Sequence, residues 1–122
     1  MAIRGIRGAI TVEEDTKEEI GLAARQLVTQ ILSMNELRAE NICAIIFSMT
    51  EDLKSGFPST ALRKRPAFRL VPLFDTLEPA IENSLAKCIR VLILADIDKE
   101  QIKIHHVYLG GAKNLRPDLD ND

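Results

Sequence analysis

Cys88-Ile89-Arg90-Val91-Leu92-Ile93-Leu94-Ala95 is the stretch on which the fold turns. Apart from Arg90 it is apolar, and it is rich in branched side chains, which predicts a buried strand. A near-continuous apolar run is the pattern of a strand covered on both faces. Arg90 cannot escape such a place by losing its proton. Left unpaired there, it would cost on the order of several kcal/mol. Either a carboxylate of the protein or an anionic ligand must therefore meet it, and the rest of the sequence favours the ligand.

Working outward from that strand, Asp96 to Gln101 is a polar turn or short helix. Ile104 to Leu109 reads as a further strand that Gly110-Gly111 breaks. From about residue 112 the chain forms a tail expected to be flexible, containing Leu115-Arg116-Pro117-Asp118-Leu119 and an acidic end. Upstream, Pro79 to Ala86 fits a short helix or a turn. Phe68 to Leu73 is strand-like, with Pro72 marking an edge or an end. Phe57-Pro58-Ser59 leads into a short helix, since proline suits a helix start, and Pro66 should end it. Asn41 to Met49 is a second β-favouring run. Asp15-Thr16 with Glu19 forms a capping-box arrangement. Ile20, Ala24, Leu27 and Ile31 then recur at helical spacing, so a helix runs to about Ser33. Ile3 to Ile10 is a first strand in which Gly5 and Gly8 permit close approach of backbone. Strands mixed with two or three helices, without strict alternation, favour an α+β fold: a mixed sheet with helices over one face.

The length of 122 residues fits one domain spanning 1–122, and the composition has no break. A net charge of −2 provides no basic field for nucleic acid or a membrane surface. Aromatic residues make up only 4% and Trp is absent, so the core must be built from Ile, Leu and Val, and subunit association would supplement it. Cys43 and Cys88 both lie in apolar runs and read as reduced core thiols of a cytoplasmic protein rather than a disulfide. No apolar run approaches membrane-spanning length.

No nucleophile motif, phosphate loop, dinucleotide fingerprint or metal-ligand spacing is present. His105 and His106 are adjacent, so on a strand they point to opposite faces and cannot chelate together. What remains is rich in arginine. Arg4 and Arg7 face opposite sides of the first strand. Arg63-Lys64-Arg65 and Arg116 are, taken alone, solvated surface charges.

The opening Ile3-Arg4-Gly5-Ile6-Arg7-Gly8-Ala9, then Phe57-Pro58, Val71-Pro72 through Glu78, Cys88-Ile89-Arg90-Val91, His106-Val107-Tyr108-Leu109 and Leu115-Arg116-Pro117-Asp118-Leu119 stand in a shared order. Together they resemble the AroH class, the Bacillus-type monofunctional chorismate mutases, over nearly the whole chain. The resemblance implies a homotrimeric pseudo-α/β-barrel with active sites in clefts between subunits. It implies conversion of chorismate to prephenate in phenylalanine and tyrosine biosynthesis, with no metal and no cofactor. Carried over by position, Arg90 would meet the ether oxygen of the breaking bond. Arg7 and Tyr108 would hold a substrate carboxylate. Glu78 would accept a hydrogen bond from the ring hydroxyl, with Asp75, Thr76 and Leu77 grouped around it. Phe57, Leu73, Phe74 and Leu115 would wall the ring, and Arg63 and Arg116 would sit at the cleft mouth.

Three positions depart from the family pattern. Thr60 stands where many relatives have Lys, Phe74 where a small polar residue is common, and Asp75 where Cys or Ser is common. A carboxylate at Asp75 beside Arg90 would either orient the arginine or compete with substrate. The alternatives to a mutase are a non-catalytic binder of chorismate-like dianions and a Rid-type trimeric imine deaminase. The opening and tail motifs favour the mutase over the deaminase.

Overall fold

The computed structural model describes residues 2–113. Strand β1 (Ile3–Thr11) is followed by helix α1 (Lys17–Met34), strand β2 (Ile42–Met49), helix α2 (Pro58–Arg63), and strands β3 (Leu73–Leu77), β4 (Cys88–Asp96) and β5 (Val107–Leu109). The strands form one mixed sheet in the order β3-β2-β4-β1-β5. β4 is its centre and pairs antiparallel with β1 and β2, while β5 and β3 add parallel at the flanks.

The register follows from the period of two in each strand. Ile6 and Ile10 of β1, Ile89, Val91, Ile93 and Ala95 of β4, and Ile45 and Phe47 of β2 are buried on one face. Over that face lies the apolar side of α1, with Ile20, Ala24, Leu27, Val28 and Ile31 in the same core as Leu62 of α2. Each such fully buried side chain contributes roughly 1.5–3 kcal/mol. The expected α+β arrangement, with helices over one face, is the one observed. Thr16 caps α1, its hydroxyl accepting from the Glu19 N–H at 3.1 Å. Glu19 reaches past the cap to accept from the Glu14 N–H at 3.3 Å. At the other end Asn35 is fully buried. Its side-chain amide donates to the carbonyls of Ile31 and His105, and its oxygen accepts from the His105 N–H, pinning the helix end to the start of β5.

Gly8 is where α1 seats on the sheet. A Cβ there would lie 2.9 Å from Ile31 Cδ1, 2.9 Å from the Val107 carbonyl oxygen and 3.1 Å from Leu27 Cδ1. The backbone carbonyl cannot rotate away as a side chain can. Gly8→Ala is expected to destabilise the fold by about 1–3 kcal/mol, the usual range for overpacking. Urea denaturation checks this, and a midpoint equal to wild type would contradict it.

Asp15 ties the loop before α2 to the start of α1: its carboxylate accepts from the N–H groups of Lys54 and Ser55, both at 3.0 Å. Partial desolvation pushes its carboxyl up, but those N–H groups outweigh it and hold the group below its ordinary value of 3.8. A depressed carboxyl contributes stability that is full above the unfolded value and is lost as pH falls through the folded one. The stability gap between wild type and Asp15→Asn is therefore expected to narrow only below that value. Denaturation midpoints at neutral and strongly acidic pH report it, and a pH-independent gap would rule it out.

Several expectations need correction. The apolar residues of Phe68 to Leu73 are not a strand. Residues 66–68 form a 3-10 turn that buries Phe68, and the strand begins at Leu73, just beyond Pro72, which has no N–H to donate to a ladder. The last strand is confined to Val107–Leu109, because residues 101–103 form another 3-10 turn. Cys43 is exposed rather than a core thiol, since a register shift between Ile42 and Ala44 turns it outward. Among the described residues, β4 is covered on one face only. Its other face carries Cys88, Arg90, Leu92 and Leu94, and Leu92 is 36% exposed.

Candidate active site

The sheet face away from the helices holds the chemistry. Register places Tyr108 beside Ala9, Ala9 beside Arg90, Arg90 beside Ser48, and Ser48 beside Thr76. Cross-strand neighbours on one face lie within side-chain reach of each other. This is therefore one transverse row across all five strands, with Arg90 at its centre. Arg7, which pairs with Leu92 one step along, points to the same face. Its backbone N–H donates to Nδ1 of His106 at 2.9 Å. That bond places the proton of the neutral ring on Nε2. As the alternation required, Arg4 points the other way and donates from Nε to the Lys99 carbonyl at 2.6 Å.

Glu78 follows β3 and is anchored by its N–H to the Met49 carbonyl at 2.8 Å. It shares parity with Thr76, so its side chain reaches the same face, and its Oε1 forms an ion pair with Nε of Arg90. The carboxylate is 12% exposed and the guanidinium 30%. The contact is close but poorly aligned, and neither atom makes a hydrogen bond among the described residues. Glu78 engages one edge of the guanidinium. The terminal nitrogens have no partner among the described residues, and Arg90 lines a shallow cavity of about 280 Å³ with Arg7, Ile46, Ser48, Val91 and Leu92.

Among the described residues, the buried side-chain polar atoms without a hydrogen-bond partner are Glu78 Oε1, Arg90 Nε and Tyr108 Oη. The first two face each other in the ion pair, which leaves the Tyr108 hydroxyl as the one without a polar partner. Native proteins satisfy nearly all such atoms, so a buried phenol beside this pair suits a polar ligand.

The remaining candidate residues divide. Phe74 and Thr76 share the open face, where Phe74 is 63% exposed and Thr76 donates its hydroxyl to the Phe47 carbonyl. Leu77 is exposed at the end of β3. Leu73 and Asp75 point the other way, toward the helices, because they pair with Ile45 and Phe47. Asp75 accepts from the N–H of Ser59 at 3.2 Å and from its hydroxyl at 2.5 Å. Within one chain it therefore neither orients Arg90 nor competes there, contrary to the expectation that it stands beside the arginine. Phe57 caps the start of α2 on the helix side, where it and Thr60 line a larger hollow of about 810 Å³ between α1 and α2. Arg63 is on that side too, donating to the Ser59 hydroxyl at 3.1 Å. Leu115 and Arg116 lie outside the described residues.

Sequence reasoning missed Ser48 and Ile46, which the alternation along β2 would have placed on the open face. It also missed Ser59, for which the sequence carries no signal. Cys88 lies one step along β4 from Arg90 on the same face, but burial pushes its thiol up to about 11, so it stays protonated and is no nucleophile.

Two arginines, a carboxylate and a phenol gathered on one sheet face fit the class of proteins that take a small, highly oxygenated anion. The chain matches the family model for chorismate mutase type I over residues 3–119. It is 48% identical over 120 residues to chorismate mutase AroH of Thermus thermophilus, covering 98% of each chain. It is 42% identical over 119 residues to chorismate mutase AroH of Bacillus subtilis, covering 98% of this chain and 94% of that one. A solved chorismate mutase from Clostridium thermocellum superposes with a TM-score of 0.87 at 38% identity, covering 90% of this chain and 97% of that one. The chain belongs to the type I chorismate mutase family, and its activity is that isomerase activity. No helix among the described residues is long and apolar enough to cross a membrane.

Proposed function

We propose that the open face converts chorismate to prephenate by holding a compact conformer and stabilising developing charge, without covalent or acid–base steps. The observation that carries this is the grouping on one sheet face of Arg7, the Arg90–Glu78 ion pair and the Tyr108 hydroxyl, which has no partner among the described residues. The rearrangement is unimolecular: the C–O ether bond breaks as a C–C bond forms, and no proton moves. It needs two carboxylates clamped so that the reacting ends meet. It also needs fixed positive charge where negative charge grows on the ether oxygen. Arg90 supplies that charge on the central strand, oriented by Glu78, and its planar fork can serve the ether oxygen and a carboxylate together. Arg7 and the Tyr108 hydroxyl take a carboxylate, and Glu78 takes the ring hydroxyl through its other oxygen.

The site residues fall on opposite faces of one sheet. Arg7, Glu78, Arg90 and Tyr108 are on the open face, while Phe57, Arg63, Leu73 and Asp75 are on the helix side. One chain cannot bring the two sets round one ligand. The open face also exposes Ile3 at 49%, Leu92 at 36% and Phe74 at 63%, an apolar surface of the kind that marks association. A homotrimer in which the open face of each copy meets the β3–α2 side of the next covers this surface and completes each cleft. A cytoplasmic location fits a biosynthetic enzyme with two free thiols.

The direct test is loss of chorismate diene absorbance with purified protein and no added cofactor, with prephenate identified as the sole product. Turnover unaffected by a chelator supports the mechanism. Binding of chorismate with no conversion would leave only the dianion binder.

A further inference from the structure

Helix α2 begins without a capping side chain of its own. Its N-cap residue is Phe57, which has none to offer, and Pro58 has no N–H. The first N–H needing a partner is that of Ser59, and Asp75 of β3 provides it from outside the helix. The Ser59 hydroxyl gives its single proton to the other carboxylate oxygen of Asp75, at 2.5 Å. Its lone pair accepts from Nη2 of Arg63, one helical turn on, at 3.1 Å. Ser59 is fully buried, whereas Arg63 is exposed. A fixed, buried hydroxyl thus holds one nitrogen of a long surface side chain, and the carboxylate behind it strengthens that hold by polarising the hydroxyl.

We infer that Ser59 and Asp75 are positioning residues for substrate capture: they fix Arg63 in the orientation in which its remaining donors meet a carboxylate of the ligand. This rests on the reading that places Arg63 at the cleft mouth. Both carboxylate oxygens of Asp75 are engaged by Ser59, so its charge acts through that hydroxyl. The clamp touches neither Arg90 nor Glu78, so it acts on binding and not on the chemical step. Freezing a free arginine at the moment of binding corresponds to about three- to tenfold in affinity.

The test is a double-mutant cycle in chorismate turnover with the full chain: wild type, Ser59→Ala, Arg63→Ala and the double variant. Ser59→Ala is expected to raise KM about three- to tenfold with kcat within about twofold. In the Arg63→Ala background the same change is expected to leave KM where it is, because the side chain it positions is gone. An equal rise in both backgrounds, or a fall in kcat at constant KM, overturns the inference. Arg63→Ala with wild-type KM would instead remove Arg63 from the cleft, the reading beneath. If Ser59→Ala lowers the melting point, Asp75→Asn replaces it. That variant keeps the shape and removes the charge, and the same background dependence of KM is expected.

Discussion

Arg90→Ala is expected to lower kcat at least about a thousandfold while the protein remains folded and associated. Removing one neutral preorganised donor from a developing oxyanion costs about 2.7–4 kcal/mol, or roughly two to three decades of rate. Arg90 carries a full charge and sits at the centre of the row, with Nε paired to Glu78 and the residue lining the shallow cavity. Among the described residues no other cation on the open face replaces it, since Arg7 lies one step along the sheet. The fold should persist because the main core lies on the opposite face, with a loss of about 1–3 kcal/mol for the Glu78 carboxylate left without its partner. Rates measured beside circular dichroism decide the matter. Comparable kcat in variant and wild type would remove Arg90 from the mechanism.

Glu78→Ala should have the next largest effect, a loss of about 10- to 100-fold in kcat/KM. Two contributions combine. A charged hydrogen bond to the ring hydroxyl is worth about 1.5–3 kcal/mol. Loss of the partner on Nε also frees the guanidinium to leave its aligned rotamer. The ion pair invites an opposite reading, in which Glu78 neutralises Arg90 and blunts its charge. That reading predicts a gain in rate on removing the carboxylate. The contact at Nε alone, with the terminal nitrogens unpartnered among the described residues, favours orientation over neutralisation. Glu78→Gln, which keeps an acceptor near Nε, is expected to fall between wild type and Glu78→Ala. A faster Glu78→Ala would show that the pair is inhibitory.

The central elements were legible because their periodicity is strong. The helical recurrence of Ile20, Ala24, Leu27 and Ile31 and the apolar run around Arg90 located α1 and β4 to within a residue or so. β3 was misplaced because its residues look wrong for a strand. At the sheet edge it carries Phe74, Asp75 and Thr76, while the more apolar Phe68 and Val71 pack under the core from a turn. The prominence of Arg90 was readable from its setting, and its neighbours were identified through family resemblance. Their assembly depends on register, which a single sequence does not encode locally: only the pairing of Ala9 with both Arg90 and Tyr108 brings β1, β4 and β5 into one row. The parity of residues 75, 76 and 78 was readable, and it already separates Asp75 from Glu78. Ser59 had no signal at all, because its role comes from a carboxylate sixteen positions away that packing brings to it.

In the proposed assembly the two faces of one sheet serve one cleft through different copies of the chain. Unfolding Arg90→Ala and Arg63→Ala together, refolding the mixture and measuring kcat/KM at low chorismate tests it directly. Random assembly gives about a quarter of the clefts Arg90 from one variant and Arg63 from the other, so the mixture is predicted to recover about a quarter of wild-type activity. Activity equal to the mean of the two variants refolded separately would show that each site is built within a single chain.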